Sequence, residues 1–304
     1  MSKFWTRFYA PARGLAACGG LAACGLAACG SAIAALALAA PALAGTARTA
    51  GPQPWELNLQ PPASPIAQTI HTFDDALMVV MAVIVLLVVG LLAYVVLRFR
   101  ASANPVPSKT SHNTVVEILW TLLPILILVV IAVPSFKLLY AEARVPADAM
   151  TIKVTGHQWY WTYDYPSEGN LTFDSILVQD KDLKPGQPRL LETDNHLVVP
   201  VDTDVRILVT STDVLHAWYV PALGVEKEAV PGRWNYTWFR ADKLGTYYGQ
   251  CVELCGLNHG FMPIDVDVVS KDAYKQWVAM ARKKFASIAV PTEQVALNTR
   301  ASAE

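Results

Sequence analysis

The sequence predicts a two-helix transmembrane hairpin followed by an all-β domain. Three observations carry this. Hydrophobic residues make up 53% of a 304-residue chain whose formal net charge is only −1, too apolar a balance for an ordinary soluble protein. Two long uncharged stretches hold much of that apolar content. Beyond about residue 151 the pattern changes to short alternating runs broken by Pro, Gly and Asp, which read as strands. Nothing in the charge balance offers a surface for nucleic acid.

Residues 1–44 read as a secretory signal peptide. Lys3, Arg7 and Arg13 form a basic start, an Ala/Leu-rich run follows, and Ala42-Leu43-Ala44 gives a small-x-small pattern that predicts cleavage after Ala44. The run is longer than usual, and LAACG recurs at Leu15, Leu21 and Leu26, each copy resembling a lipoprotein box. Lipidation at Cys29 is therefore the alternative. Cys18, Cys24 and Cys29 lie in this leader, so cleavage would leave Cys251 and Cys255 as the cysteines of the mature chain.

Residues 45–72 read as a segment outside the membrane, extended over its Pro-, Ala- and Gln-rich part, 46–68. The first span is expected at 73–98, where 76–97 carry no charge and suffice to cross about 30 Å of hydrocarbon. The second is expected at 117–140, with Pro124 and Pro134 kinking it, which neighbouring membrane helices can accommodate. The loop between them, 99–116, contains Arg100 and Lys109, follows Arg98, and has no acid before Glu117. Positive loops stay in the cytoplasm. Both flanking segments would then face the far side, the topology a secretory signal also demands: in a bacterium, the inner membrane with the β domain in the periplasm.

The β domain is expected at 141–270, with HLVVPV, VRILVTS, YTWFRA and MPIDVDVV as strands of a sandwich or barrel. In 271–304 a surface helix with Tyr274, Trp277, Val278 and Met280 apolar precedes a loose tail.

The chemistry concentrates in CVELCGLNHGFM, residues 251–262, and in His216 of DVLHAW. Cys251, Cys255, His216, His259 and Met262 form a soft donor set, with Gly256 and Gly260 permitting sharp turns. Three readings stand on the residues alone. Cys251 and Cys255 could be a disulfide in an oxidising compartment. The two cysteines and two histidines could hold tetrahedral zinc. A thioether beside thiolates and imidazoles favours copper, and a second cysteine allows two coppers to be bridged. No C-x-x-C-H occurs, so a fused c-type haem domain is not expected.

This loop with its upstream DVLHAW resembles the dinuclear copper site, CuA, of cytochrome c oxidase subunit II. ELNLQPPASPI, VEILWTLLP, GHQWYWTYDYP, PGRWNYTWF and LGTYYGQC also occur in that family's order, so the resemblance spans roughly residues 55–269. It implies a cupredoxin-like fold for the β domain. It implies a CuA centre held by Cys251, Cys255, His216, His259, Met262 and the Glu253 carbonyl. It further implies magnesium at the boundary with subunit I through the Glu253 carboxylate, electron uptake through Trp159, and docking of a basic cytochrome c by Asp164, Asp174, Asp194 and Asp213. Glu117 would stand at the entrance of a proton path into subunit I. The implied activity is that of a proton-translocating cytochrome c:oxygen oxidoreductase whose oxygen-reducing site lies in subunit I. Its partners would be subunit I, other oxidase subunits, cytochrome c and the lipid bilayer. Plainer roles stand beside these: core packing for the aromatics, solvation for single acids, helix-dipole stabilisation for Glu117. Arg233 and His196 are open between wiring copper to haem and structural roles. A quinol oxidase subunit would usually lack the copper ligands; nitrous oxide reductase would need a further large catalytic domain, and a copper carrier would need neither Trp159 nor Glu117.

Overall fold

The computed structural model describes residues 51–169 and 171–285. The signal peptide, the cleavage and lipidation positions Ala44 and Cys29, and the tail after residue 285 lie outside the described residues.

Helices α1 (Pro65–Arg98) and α2 (Thr114–Ala143) are long and apolar enough to cross a membrane. Their 34 and 30 residues rise about 51 and 45 Å at 1.5 Å per residue, more than the hydrocarbon core needs. Side chains such as Leu86 and Leu128 face outward and apolar, as lipid requires. Helix α1 begins inside the stretch expected to be extended. The reason is local: Ser64 is a strong N-cap and Pro65 suits the first helical position. Ser64 Oγ accepts from the Ala67 N–H at 3.0 Å and donates to the Leu223 carbonyl at 2.7 Å. The Ala63 N–H donates to the Ala222 carbonyl at 2.8 Å. Gly224, at φ 67°, allows this approach, because a Cβ there would lie 2.8 Å from the Ala67 backbone nitrogen. The first turn of α1 is thus docked on the β domain. Helix α2 runs unbroken through Pro124 and Pro134. Its start is closed from both sides: Asn113 Oδ1 accepts from the Val115 and Val116 N–H groups, and Glu117 Oε1 accepts from the Asn113 N–H at 3.2 Å.

The β domain is a sandwich of two five-stranded sheets. Its strands are β1 (Met150–His157), β2 (Tyr160–Tyr165), β3 (Leu171–Ser175), β4 (Leu197–Pro200), β5 (Asp204–Ser211), β6 (His216–Val220), β7 (Val225–Ala229), β8 (Asn235–Arg240), β9 (Gly245–Cys251) and β10 (Pro263–Val269). One sheet is ordered β3-β2-β1-β5-β8 and the other β4-β10-β9-β6-β7. Alternation in β1 and β5 buries Ile152, Val154, Val205, Ile207 and Val209 against Leu197, Val199, Trp218, Val220 and Val266 of the facing sheet. Trp161, Tyr163 and Phe173 complete this core, so much of the aromatic density in β2 is packing. The Tyr165 hydroxyl donates to the Val198 carbonyl at 3.0 Å and accepts its N–H at 2.9 Å, satisfying β4 on the side away from β10. Helix α3 (Lys271–Phe285) closes the edge with Tyr274, Val278 and Ala281 inward. Met280, expected on the apolar face, is 63% exposed; the i, i+4, i+7 stripe passes through Ala281 instead.

Candidate metal centre

Sheet register brings the donors together. Trp218 of β6 pairs with Cys251 of β9, which sets His216, the first residue of β6, beside the cysteine that ends β9. The chain then loops to a single turn of 3-10 helix at His259–Phe261 and enters β10 directly after Met262. Gly256 takes φ 119°, so glycine's freedom is used there, whereas Gly260 lies within the helical turn.

Cys251 and Cys255 are free thiols with sulfurs 3.9 Å apart. Close to Cys251 Sγ lie His216 Nδ1 at 4.0 Å and the Glu253 carbonyl oxygen at 3.3 Å. Close to Cys255 Sγ lie His259 Nδ1 and Met262 Sδ, each at 3.6 Å. Each sulfur therefore has an imidazole nitrogen and a weaker donor beside it. The ligating atoms of His216, Cys251 and Cys255 all lie within 4.8 Å of one another, and all three residues are buried. Bonds of about 2.3 Å would let both sulfurs share one ion. The donors outnumber the four that a single tetrahedral zinc takes, and the set is soft enough for copper. Burial, with the neighbouring Cys251 sulfur adding to it, pushes the Cys255 thiol up to about 12. Two buried thiolates so close need cationic charge to coexist.

His216 is fixed on every side. Its Nε2–H donates to Asp213 Oδ1 at 2.8 Å, leaving the Nδ1 lone pair toward the sulfurs. Trp161 meets the ring edge-on at 5.9 Å between centroids and donates its Nε1–H to the Met262 carbonyl at 3.2 Å. Asp213 also accepts from the Gln158 N–H at 2.7 Å, the Val214 N–H at 2.6 Å and Ser211 Oγ at 3.1 Å. Burial opposes its charge, but these donors hold its carboxyl below the usual range.

Trp159 is half-buried against the core at the rim of the loop, and its Nε1–H donates to the Cys255 carbonyl at 3.2 Å. Gln158 Nε2 donates to the same carbonyl at 2.8 Å. A Cβ on Gly256 would lie 3.2 Å from both side chains. Beside Trp159, His157 and Tyr160 stack at 4.5 Å.

The four acids do not form one cluster of equivalents. Asp174 accepts from Thr162 Oγ1, which also contacts His157. Asp213 is committed to His216. Asp164 is paired with Lys153 at 3.6 Å. Asp194 caps the end of β3 by accepting the Ile176 N–H at 2.8 Å. Glu253 is half-buried on the loop, and Glu117 is far along the chain at the start of α2. Sequence reading missed Gly156, Gln158, the hydrogen-bonding work of Asp213, and the exposed apolar rim of Leu254 and Leu257, 77% and 89% exposed.

Fold and site together define a class: a β sandwich anchored by two apolar helices long enough to span a membrane, with a buried cluster of soft donors that could hold a metal. Residues 150–269 match the family described as Cytochrome C oxidase subunit II, periplasmic domain, and residues 52–138 match Cytochrome C oxidase subunit II, transmembrane domain. A probable cytochrome c oxidase subunit 2 of Rickettsia bellii (strain RML369-C) is 52% identical over 236 residues, 78% of this chain and 88% of that protein. Cytochrome c oxidase subunit 2 of Arabidopsis thaliana is 47% identical over 233 residues, 75% of this chain and 90% of that protein. The solved periplasmic domain of subunit II of cytochrome oxidase of Bradyrhizobium japonicum is 52% identical, covering 47% of this chain and 99% of that chain, with a TM-score of 0.44. The chain belongs to the cytochrome c oxidase subunit II family. It is a two-span membrane protein with a cupredoxin-like domain. That family implies copper binding, and His216, Cys251 and Cys255 form a group that could hold a metal ion.

Proposed function

We propose that this subunit accepts electrons from cytochrome c at a CuA centre and passes them to haem in subunit I, where oxygen is reduced to water as protons are pumped. The observation that carries this is the convergence of the buried Cys251, Cys255, His216 and Met262 with the half-buried His259 and the Glu253 carbonyl. Bound there, a copper pair supplies a one-electron carrier. The protein's share is rigidity: neighbouring strands, Asp213 and Trp161 hold the ligands so that little need move when charge changes.

Trp159 links the surface to the Cys255 carbonyl through one hydrogen bond and is the proposed point of electron uptake. The apolar rim of Leu254 and Leu257 suits a protein partner. Asp174, Asp194, Asp164 and Asp213 supply negative charge that would steer a basic cytochrome c. The Glu253 carboxylate is the proposed magnesium ligand at the subunit I boundary. Glu117, beyond capping α2, is the proposed entrance of a proton path. The basic loop with Arg100 and Lys109 supports a cytoplasmic hairpin, hence a β domain in the periplasm of a bacterial inner membrane.

The test is rapid mixing of the purified oxidase with reduced cytochrome c. Bleaching of the copper absorbance before haem reduction in subunit I is expected; haem reduced first would refute the reading.

A further inference from the structure

A second cluster of ligand-type side chains lies on the outer face of the β4-β10-β9-β6-β7 sheet. Glu192 and Asp265 are buried, at 5% and 0% exposure, and His196 is half-buried. Their ligating atoms lie within 4.8 Å of one another. His196 Nε2 stands 3.4 Å from Glu192 Oε1 and 3.5 Å from Asp265 Oδ2. Tetrahedral zinc with bonds of about 2.0–2.15 Å separates its ligands by about 3.3–3.5 Å. The two spacings thus match edges of such a tetrahedron.

The surroundings are arranged around these atoms. His196 Nδ1–H donates to Asp267 Oδ2 at 2.9 Å, and Asp267 Oδ1 accepts from Thr246 Oγ1 at 2.5 Å. That is the carboxylate–histidine support metal-binding imidazoles generally use, and it turns Nε2 toward the two carboxylates. Thr193 fixes Asp265 Oδ2 through its N–H and its hydroxyl, and Gln187 Nε2 donates to Glu192 Oε1. The independent sign of a missing partner is Asp265 Oδ1. It is buried with no hydrogen-bond partner, on the carboxylate that faces His196. Gln250 Oε1, on the adjacent strand and the same face, is a second buried acceptor without a donor. A buried carboxylate oxygen left bare costs several kcal/mol or finds a cation. A cleft of about 340 Å³ beside the cluster is lined by His196 and its partner Asp267, with Asn195 and Lys284.

We propose that Glu192, His196 and Asp265 form a divalent transition-metal site, best suited to zinc, separate from the Cys251–Met262 loop. One imidazole and two carboxylates suit zinc. The metal would clamp the 176–196 segment onto β10, where Thr193 already bonds to Asp265, beside the Leu190 carbonyl that Gln250 Nε2 of β9 holds.

The test uses the whole oxidase, stripped with chelator and given zinc alone at micromolar concentration. Anomalous diffraction at the zinc edge should place a peak bonded to His196 Nε2, Glu192 and Asp265. Asp265→Asn and Glu192→Gln should each lose one zinc per complex with copper content unchanged. No peak at that position in the wild-type crystal, a peak only at millimolar zinc, or an unchanged zinc count in both variants would overturn the proposal. The wild-type map decides even if a variant fails to assemble.

Discussion

Gly156 touches His216: a Cβ built at position 156 would lie 2.8 Å from Cδ2 of the imidazole and 3.1 Å from its Cγ. The ring has nowhere to go, because Trp161 and Asp213 hold its other sides. Gly156→Ala should cost about 1–3 kcal/mol by overpacking and turn the imidazole off its position. The expected outcome is a folded β domain with weakened copper binding and an altered copper spectrum. An unchanged spectrum would show that the contact does not set the ligand's position.

Asp213 and Asp174 separate two roles that sequence reading merged. Asp213 fixes the His216 imidazole, the proposed copper ligand, so Asp213→Asn should lower copper affinity about 10–100-fold, the usual cost of losing such support. Asp174 contacts no ligand, so Asp174→Asn should leave the copper spectrum alone and only flatten the ionic-strength dependence of reduction by cytochrome c. Copper titration and a salt series distinguish them.

Trp159→Phe keeps an aromatic at the rim but removes the bond to the Cys255 carbonyl. Stability should fall by about 1 kcal/mol, the worth of one hydrogen bond, whereas the rate of reduction by cytochrome c should fall much further. Equal rates in wild type and variant would assign Trp159 to packing alone.

Tyr165→Phe strips both backbone groups of Val198 of their partners. Two buried polar groups left bare cost about 2–6 kcal/mol at 1–3 kcal/mol each. Thermal unfolding of the variant should shift down sharply, with the copper spectrum unchanged while folded.

The donor residues were legible because most of them fall within one short loop, where residue type and spacing speak without a fold. His216 stood apart, and the register of β6 against β9 explains its place. Gly156 was invisible: a glycine next to HQW reads as a turn until the imidazole above it is seen. Asp213 looked like a surface acid because only the fold shows the turn that aims it at Ser211, Val214 and His216, and its fourth partner, Gln158, comes from another part of the chain. The start of α1 was misread because Pro-rich composition outweighed the Ser64-Pro65 cap. His196, open between wiring and structure, meets Asp265 and Asp267 of a strand distant in sequence, a pairing no local pattern announces.

Whether the loop holds a copper pair is decided by the EPR spectrum of residues 145–304 loaded with copper. One unpaired electron shared by two copper nuclei should give a seven-line hyperfine pattern, with two coppers bound per chain. A four-line pattern from a single copper would mean a mononuclear site and rule out CuA.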